Sequence, residues 1–341
     1  MELSKVALVS SIPLPSVLFA EALPTMVLGI QPGTNMGKDN IGVAMASRIK
    51  TLAREQKADA RILLTRFAQE RFLHRIQNGQ NKDRFVLKGG MLFMCRNEKS
   101  NRPTEDVDLH DMDARDLETI NETVLDAIQM DLDDGVTFNK DSFSSVRIRE
   151  GFRPGTRIVM NASIGMSIVR IKLDICSGDA LTPAPVIRNL PSALPKLFEP
   201  IRMLSYSWET VVAEKIHAMT TFGIDSTRMK DWYDIATIAQ EETLDGATLV
   251  SAVSRTFNIR KTAIDPDPVA LSDRFVSVKS AEFNRWVRNI NAPEGRKSLA
   301  DVVTVAREFL IPILEAAESG GEFDASWDPQ NGWTEAATPR P

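Results

Sequence analysis

The feature that most constrains this chain is a fixed order of four elements between residues 84 and 109. A strand predicted over residues 84–88 ends at Gly89-Gly90, a helix begins after the glycines, and a second strand carries Asp106 and Asp108. Glycines let the backbone approach a phosphate without a Cβ clash, and a helix N-terminus presents N–H groups to it. The two carboxylates are two residues apart on a strand, so they point to the same face and could hold magnesium. Either motif alone has an ordinary explanation, as a tight turn or a solvated strand end.

A third carboxylate follows on a later strand. Asp174 is the lone acid in Ile171-Lys172-Leu173-Asp174-Ile175. The alternative is a strand-end Asp that caps a turn with Ser177 and Gly178. Three carboxylates that hold two magnesium ions could activate a 3′-hydroxyl and stabilise a pyrophosphate leaving group. The complete order resembles the core of the polymerase β-like nucleotidyltransferases.

Hydrophobic periodicity predicts an α+β domain for residues 36–200. Helices are expected over 41–56, 60–77 and 114–129, with Asp59 capping the second, and residues 91–95 begin another. Alternating apolar and polar residues predict half-buried antiparallel strands, and the polymerase β-like resemblance implies a mixed sheet; these strands are expected over 135–138, 144–149, 156–163 and 168–175. Five prolines between Pro183 and Pro200 then predict a linker.

Residues 201–318 are predicted to form an all-helical domain. Its helices are expected over about 207–221, 227–241, 246–257, 280–290 and 298–317. Residues 319–341 contain glycine, proline and acids without periodicity, which predicts a disordered tail. An apolar leader over residues 1–35 is also expected to be disordered, with Met36 as the functional start. Prolines make the leader too broken for a membrane span, and no other stretch is a candidate.

Charge is spread unevenly along the chain. The formal net charge of -5 argues against a wholly basic nucleic-acid binder. Yet residues 36–100 hold 14 Lys/Arg against 6 Asp/Glu, and residues 101–141 hold 3 against 13. Such a field suits a polyanion on one side and metal cations on the other, although solvated helix faces would give the same counts. Cys95 and Cys176 are expected to be buried apolar fillers and fit a reducing cytoplasm, and the histidines show no metal-ligand spacing.

Six motifs, taken in order, resemble those of one family. From about Met36 to about Gln240 the chain is similar to the AbiEii/AbiGii-type nucleotidyltransferase toxins, which include the MenT-type toxins. The motifs are residues 65–73 (TRFAQERFL), 84–90 (RFVLKGG), 102–109 (RPTEDVDL), 172–175 (KLDI), 213–215 (AEK) and 228–235 (RMKDWYDI).

The resemblance implies the toxin of a toxin–antitoxin pair, with a role in abortive infection and phage defence. Its antitoxin would be a separate protein, often with a DNA-binding winged helix. Such toxins bind a nucleoside triphosphate, and some members transfer nucleotides to the 3′ end of tRNA. Family roles fall on the metal-binding pair Asp106 and Asp108, the phosphate-facing turn Gly89 and Gly90, and the helical-domain residues Lys215 and Asp231.

Side-chain chemistry supports the helical-domain positions independently. Lys215 is a polar residue in an apolar helix and could reach a triphosphate as a point charge, or pair with Glu214 or another acid on the surface. Asp231 and Asp234 are three residues apart and share a helix face. They could orient Lys215 or contact the nucleotide sugar, or they could be acids that the helix dipole favours.

The leading hypothesis is a magnesium-dependent nucleotidyltransferase toxin, in the cytoplasm, that transfers NMP from an NTP to an RNA 3′ end, with tRNA as the acceptor. Basic helices at residues 48–84 would hold the RNA backbone. The alternatives are transfer to a protein or small-molecule hydroxyl, and a non-catalytic partner that binds NTP or RNA. The expected catalytic residues are Asp106, Asp108, Asp174, Lys215 and Asp231, of which the first three bind the metal. The expected NTP-binding residues are Lys88, Gly89, Gly90, Arg102, Thr104 and Asp234.

Overall fold

The computed structural model describes residues 38–96, 104–148, 154–290 and 298–335. All of these belong to one compact unit that spans Asn35–Pro341. The predicted leader over residues 1–35 lies outside the described residues. No helix in the described ranges is long and apolar enough to cross a membrane.

A seven-stranded mixed sheet forms the centre of the N-terminal part of the described chain. Its strands are β1 (Phe85–Lys88), β2 (Asp106–Asp111), β3 (Val136–Ile148), β4 (Gly155–Ile164), β5 (Ser167–Cys176), β6 (Val186–Leu190) and β7 (Ile201–Ser205), in the order β3-β4-β5-β2-β1-β7-β6. Strand β2 runs parallel to β5 and antiparallel to β1, while β3, β4 and β5 form an antiparallel meander. This arrangement confirms the predicted α+β class and places β2 beside β5.

Helices α1 (Lys38–Gln56), α2 (Ala60–Asn78), α3 (Gly89–Leu92) and α4 (Leu117–Gln129) belong to the same part of the fold. Asp59 caps α2 as predicted, because its carboxylate accepts from the Arg61 N–H at 2.7 Å. The apolar face of α2 packs on the sheet, and Phe67 and Phe72 are completely buried. Helix α2 thereby covers one face of the sheet in which β1 and β2 are central strands.

The predicted boundary at residue 200 needs correction. Residues 186–190 lie inside the expected linker but form the edge strand β6, and β7 follows the boundary yet pairs with both β6 and β1. The prolines flank β6 without entering it, and an edge strand tolerates such neighbours because it pairs on one side only. The sheet therefore continues to Ser205.

Five α-helices follow the sheet in the described part of the chain, as predicted for the C-terminal part. They are α5 (Trp208–Phe222), α6 (Met229–Glu241), α7 (Gly246–Ile259), α8 (Asp273–Asn289) and α9 (Leu299–Ser319). Helix α5 begins at Ser207, whose hydroxyl accepts from the Thr210 N–H at 3.2 Å. Trp232 and Tyr233 of α6 are buried in the core.

The expectation of a disordered tail is wrong for residues 325–335. Strands β9 (Ala325–Asp328) and β10 (Gly332–Glu335) form a hairpin that pairs with the two-residue strand β8 (Leu244–Asp245). Trp327 packs on Phe309 and donates its indole N–H to the Ala239 carbonyl at 2.6 Å. Through this ring contact and this hydrogen bond, the buried Trp327 anchors the hairpin of β9 and β10. The composition of that segment alone predicts no structure.

Candidate active site

Four side chains from four neighbouring strands form one row across the sheet. Arg157 of β4 lies opposite Asp174 of β5, Asp174 lies opposite Asp108 of β2, and Asp108 lies opposite Lys88 of β1. Residues in register on adjacent strands point to the same face of a sheet. Asp106 lies two residues before Asp108 on this face, so the fold brings the three predicted carboxylates together. We call Asp106, Asp108 and Asp174 the carboxylate trio.

The glycine turn lies directly against the carboxylate trio. Gly89 has φ +66°, a left-handed conformation that other residues rarely adopt. A Cβ atom at this position would collide with the carboxylate of Asp108. Gly90 follows in α3, which starts at the turn. The glycines therefore permit a close approach of backbone and Asp108, and they lie beside the carboxylates as predicted.

Two cations on β4 and β5 neutralise the outer members of the trio. The Lys172 ammonium donates to Asp106 Oδ1 at 2.8 Å. Arg157 binds Asp174 through both oxygens, with Nε to Oδ1 at 2.8 Å and Nη2 to Oδ2 at 2.9 Å. A two-point guanidinium–carboxylate contact fixes the orientation of the carboxylate as well as its charge. Asp174 is thus the partner of an arginine as well as a neighbour of Asp108.

The environment of Asp108 disfavours its charge. Burial raises the pKa of this carboxyl group, and the negative charges of Asp106 and Asp174 raise it further, while Lys230 and Lys88 act in the opposite direction. A divalent cation would relieve this cost because it attracts all three carboxylates. Carboxylate oxygens are also the ligands that magnesium prefers. The trio therefore fits a magnesium ion by charge and by donor type.

His110, Cys176 and Asp179 form a second group of potential metal ligands within the described chain, since their ligand atoms lie within 4.8 Å of one another. The ammonium of Lys88 already occupies this group, at 3.5 Å from Cys176 Sγ and 3.3 Å from Asp179 Oδ2. Burial raises the pKa of the Cys176 thiol to about 11, so the thiolate that a metal requires is disfavoured. This group does not suit a metal, and Cys176 is part of a charged cluster instead of an apolar filler.

Lys88 lines the cavity, with its ammonium directed at two acids. It lies 2.9 Å from Glu214 on α5, and Arg260 bridges the same pair at 2.8 Å to Asp179 and 3.1 Å to Glu214. Burial lowers the pKa of Lys88, but Cys176, Glu214 and other neighbours outweigh this and hold it well above its usual range. Lys88 therefore remains a cation that ties β1 to α5.

Lys215 lines the cavity from α5, and two aspartates of α6 bind its ammonium. Its ammonium donates to Asp231 at 2.8 Å and to Asp234 at 2.7 Å, and Arg228 binds the second oxygen of Asp231 at 2.7 Å. Both aspartates are buried, at 0% and 1% exposure, and neither lines the cavity. Of the two roles considered for Asp231 and Asp234, the geometry supports orientation of Lys215 instead of contact with a nucleotide sugar. Glu214, the alternative partner considered for Lys215, binds Lys88.

The remaining predicted residues divide between the cavity and the undescribed segment. Thr104 lines the cavity and donates to the Asp106 carbonyl at 3.3 Å, whereas Arg102 lies outside the described residues. The cavity has a volume of about 400 Å³ and contains the carboxylate trio, the glycine turn and Lys215. Seven further charged or hydroxyl-bearing lining residues were not predicted as site residues: Arg157, Asp179, Tyr206, Glu214, Arg228, Lys230 and Arg260.

This chain matches the family model described as the nucleotidyl transferase AbiEii toxin, type IV toxin–antitoxin system, over residues 71–305. The chain belongs to the AbiEii nucleotidyltransferase toxin family. It is therefore a nucleotidyltransferase, and its cellular role is that of a toxin in a type IV toxin–antitoxin system, which implies an NTP substrate and an antitoxin partner. The matched range contains the whole row, the glycine turn and the Lys215 cluster.

Two solved structures are similar to this chain. MenT4, the nucleotidyltransferase toxin Rv2826c from Mycobacterium tuberculosis H37Rv, shares 16% identity, and the match covers 78% of this chain and 89% of MenT4 with a TM-score of 0.50. JHP933 from Helicobacter pylori shares 14% identity over 81% of this chain and 93% of its own, with a TM-score of 0.42. A comparison with curated protein sequences gives no match.

Proposed function

We propose that this AbiEii toxin transfers NMP from an NTP to the 3′ end of an RNA, with tRNA as the acceptor and magnesium as the cofactor. The observation that carries the proposal is the placement of Asp106, Asp108 and Asp174 on one face, against the Gly89 turn and across a cavity from Lys215. The NMP-transfer reaction joins the 3′-oxygen to the α-phosphorus and breaks the bond to the β-phosphate. It releases pyrophosphate and the hydroxyl proton.

The proposed roles follow from position and charge. The carboxylate trio would hold magnesium, and the ion would supply positive charge that lowers the electrostatic barrier between the phosphates and the attacking hydroxyl. The turn at Gly89 and Gly90 lines the cavity beside Asp108, and its backbone N–H groups are where we propose that phosphate oxygens bind. Lys215 presents a cation to the triphosphate, and its two buried aspartates fix the position of its ammonium.

The proposed RNA surface is smaller than the basic segment at residues 48–84. Arg71 and Arg75 are buried, and Arg75 binds Asp134 at 2.7 Å, so they are not available to RNA. Arg66 binds the buried Glu70 at 2.8 Å. The exposed cations of this segment are Arg48, Lys50, Arg54, Lys57, Arg61, Lys82 and Arg84. These side chains are the ones that we propose to contact RNA phosphates.

The test is an incubation of the full chain with each of the four α-labelled NTPs and Mg²⁺, in the presence of total RNA, total protein or a metabolite extract. We expect the label in RNA of tRNA size, removable by 3′-exonuclease. Asp106→Ala and Asp108→Ala should abolish transfer, while Asp126→Ala, an exposed acid outside the cavity, serves as the matched control. Label in protein or metabolites would refute the RNA acceptor, and transfer by Asp106→Ala would refute the mechanism.

The cellular part of the proposal concerns the partner and the outcome. We propose that the toxin acts in the cytoplasm, that its antitoxin carries a DNA-binding winged helix, and that the pair serves phage defence. Induction of the wild-type chain should arrest growth, whereas Asp108→Ala should not. Rescue by co-expression of a neighbouring winged-helix gene would support the pair, and arrest by Asp108→Ala would contradict a catalytic origin of toxicity.

A further inference from the structure

The outer carboxylates of the trio are each bound by a cation from the sheet itself. Lys172 binds Asp106 at 2.8 Å, and Arg157 binds both oxygens of Asp174 at 2.8 and 2.9 Å. The proposed magnesium site draws on these same two carboxylates. Lys172 belongs to β5 and opens the motif of residues 172–175, whereas Arg157 belongs to β4 and lies outside the six motifs.

We propose that Lys172 and Arg157 are internal counter-ions of the metal site, and that Arg157 passes from Asp174 to the triphosphate when metal and nucleotide enter together. This inference rests on the proposed function, because it takes Asp106 and Asp174 as metal ligands. The site is then built to bind a metal–triphosphate complex in preference to the metal alone.

This preference arises because the trio places three carboxylates close together. Asp108 and Asp174 lie side by side in register, and Asp106 is two residues away on the same face. Like charges so close repel each other unless cations offset them. In the structure Lys172 and Arg157 provide that offset, so a divalent cation that arrives alone must compete with two ion pairs already formed.

A triphosphate changes this balance because it offers the displaced cation a new partner. Arg157 lines the cavity and its side chain is 25% exposed, so it can turn without disturbing the buried core. Its planar fork suits two phosphate oxygens as well as two carboxylate oxygens. The guanidinium can therefore exchange one anionic partner for another while Asp174 becomes available to the metal.

The test measures binding, so it needs neither the acceptor nor turnover. Equilibrium dialysis of the full chain gives the affinity for Mn²⁺ alone, as a probe of the magnesium site, and for the Mn²⁺–tripolyphosphate complex. The variants are Arg157→Met and Lys172→Met. The matched controls are Arg202→Met and Lys140→Met, which remove the same charges from exposed positions outside the cavity.

We expect Arg157→Met and Lys172→Met each to bind Mn²⁺ alone about fivefold more tightly than their controls, as the loss of a competing, partly exposed ion pair implies. Arg157→Met should bind the Mn²⁺–tripolyphosphate complex more weakly than Arg202→Met, so its two affinities change in opposite directions. A merely structural arginine would change both in the same direction or neither.

The experiment distinguishes failure of the proposed metal site from failure of the counter-ion inference. Asp106→Asn should lose affinity for Mn²⁺; if it does not, the metal site of the proposed function is wrong and the counter-ion inference falls with it. If Asp106→Asn does lose Mn²⁺ but Arg157→Met and Lys172→Met match their controls, the magnesium site stands and only the counter-ion inference is overturned.

Discussion

Replacement of Gly89 by alanine tests whether the glycine turn positions Asp108. Gly89 has φ +66°, which costs a non-glycine residue about 1–2 kcal/mol. The new methyl group would also collide with the Asp108 carboxylate, so either the turn or Asp108 must move. A displacement of about 1 Å at a reacting centre can reduce a rate about 100-fold, or about 2.7 kcal/mol. We therefore expect a modest loss of stability and a large loss of NMP transfer.

Gly320→Ala is the matched control for backbone strain. Gly320 also has a positive φ, of +69°, but no atom lies within 4 Å of the position of an added Cβ. Gly320→Ala should lose about 1 kcal/mol in urea unfolding and roughly 2 °C in Tm, and Gly89→Ala should lose at least as much because its methyl group also meets Asp108. Transfer from the labelled NTP should fall in Gly89→Ala alone. A folded Gly89→Ala protein that transfers at nearly the wild-type rate would refute the positional role of the turn.

Three buried side chains away from the carboxylate trio provide tests by equilibrium unfolding. Asp231→Asn leaves Lys215 and Arg228 with less compensation in the interior, so the free energy of unfolding should fall by about 3 kcal/mol; an unchanged urea midpoint would contradict this. Trp327→Ala should cost about 3–5 kcal/mol, whereas a disordered tail would make it silent. Burial, with Arg260 nearby, lowers the pKa of His217 to about 4. The unfolded chain then binds the extra proton between pH 4 and pH 6.5, and stability rises with pH across that window. His217→Gln should remove about 3 kcal/mol of this rise, and an unaltered pH profile would show that His217 titrates normally.

The carboxylate trio could be predicted because its signal is local. Asp106 and Asp108 share a face by the two-residue period of a strand, and Asp174 is a lone acid in an apolar strand. The resemblance of the motif order to the polymerase β-like core then grouped Asp174 with this pair. The register of β2 and β5 places Asp108 directly opposite Asp174, and only the folded structure provides this register.

Arg157 could not be predicted as a site residue because its role depends on strand register. It lies in an alternating strand with other polar residues, and only the β4–β5 pairing places it opposite Asp174. A shift of one residue would send its side chain to the other face of the sheet. Tyr206 and Arg260 follow β7 and α7, so only tertiary packing brings them to the cavity.

The charge counts of the basic and acidic segments must likewise be read together with the ion pairs that form in the folded chain. Arg75 of the basic segment and Asp134 of the acidic one bind each other in the interior, so both counts include charges that never reach solvent. Two members of the trio, Asp174 and Asp106, are paired with Arg157 and Lys172, which lie outside both segments. Segment charges therefore overstate the field on each side. The number of RNA phosphates that the N-terminal helices can bind depends on their exposed cations. The charge at the proposed metal site depends on Lys172 and Arg157 of the meander.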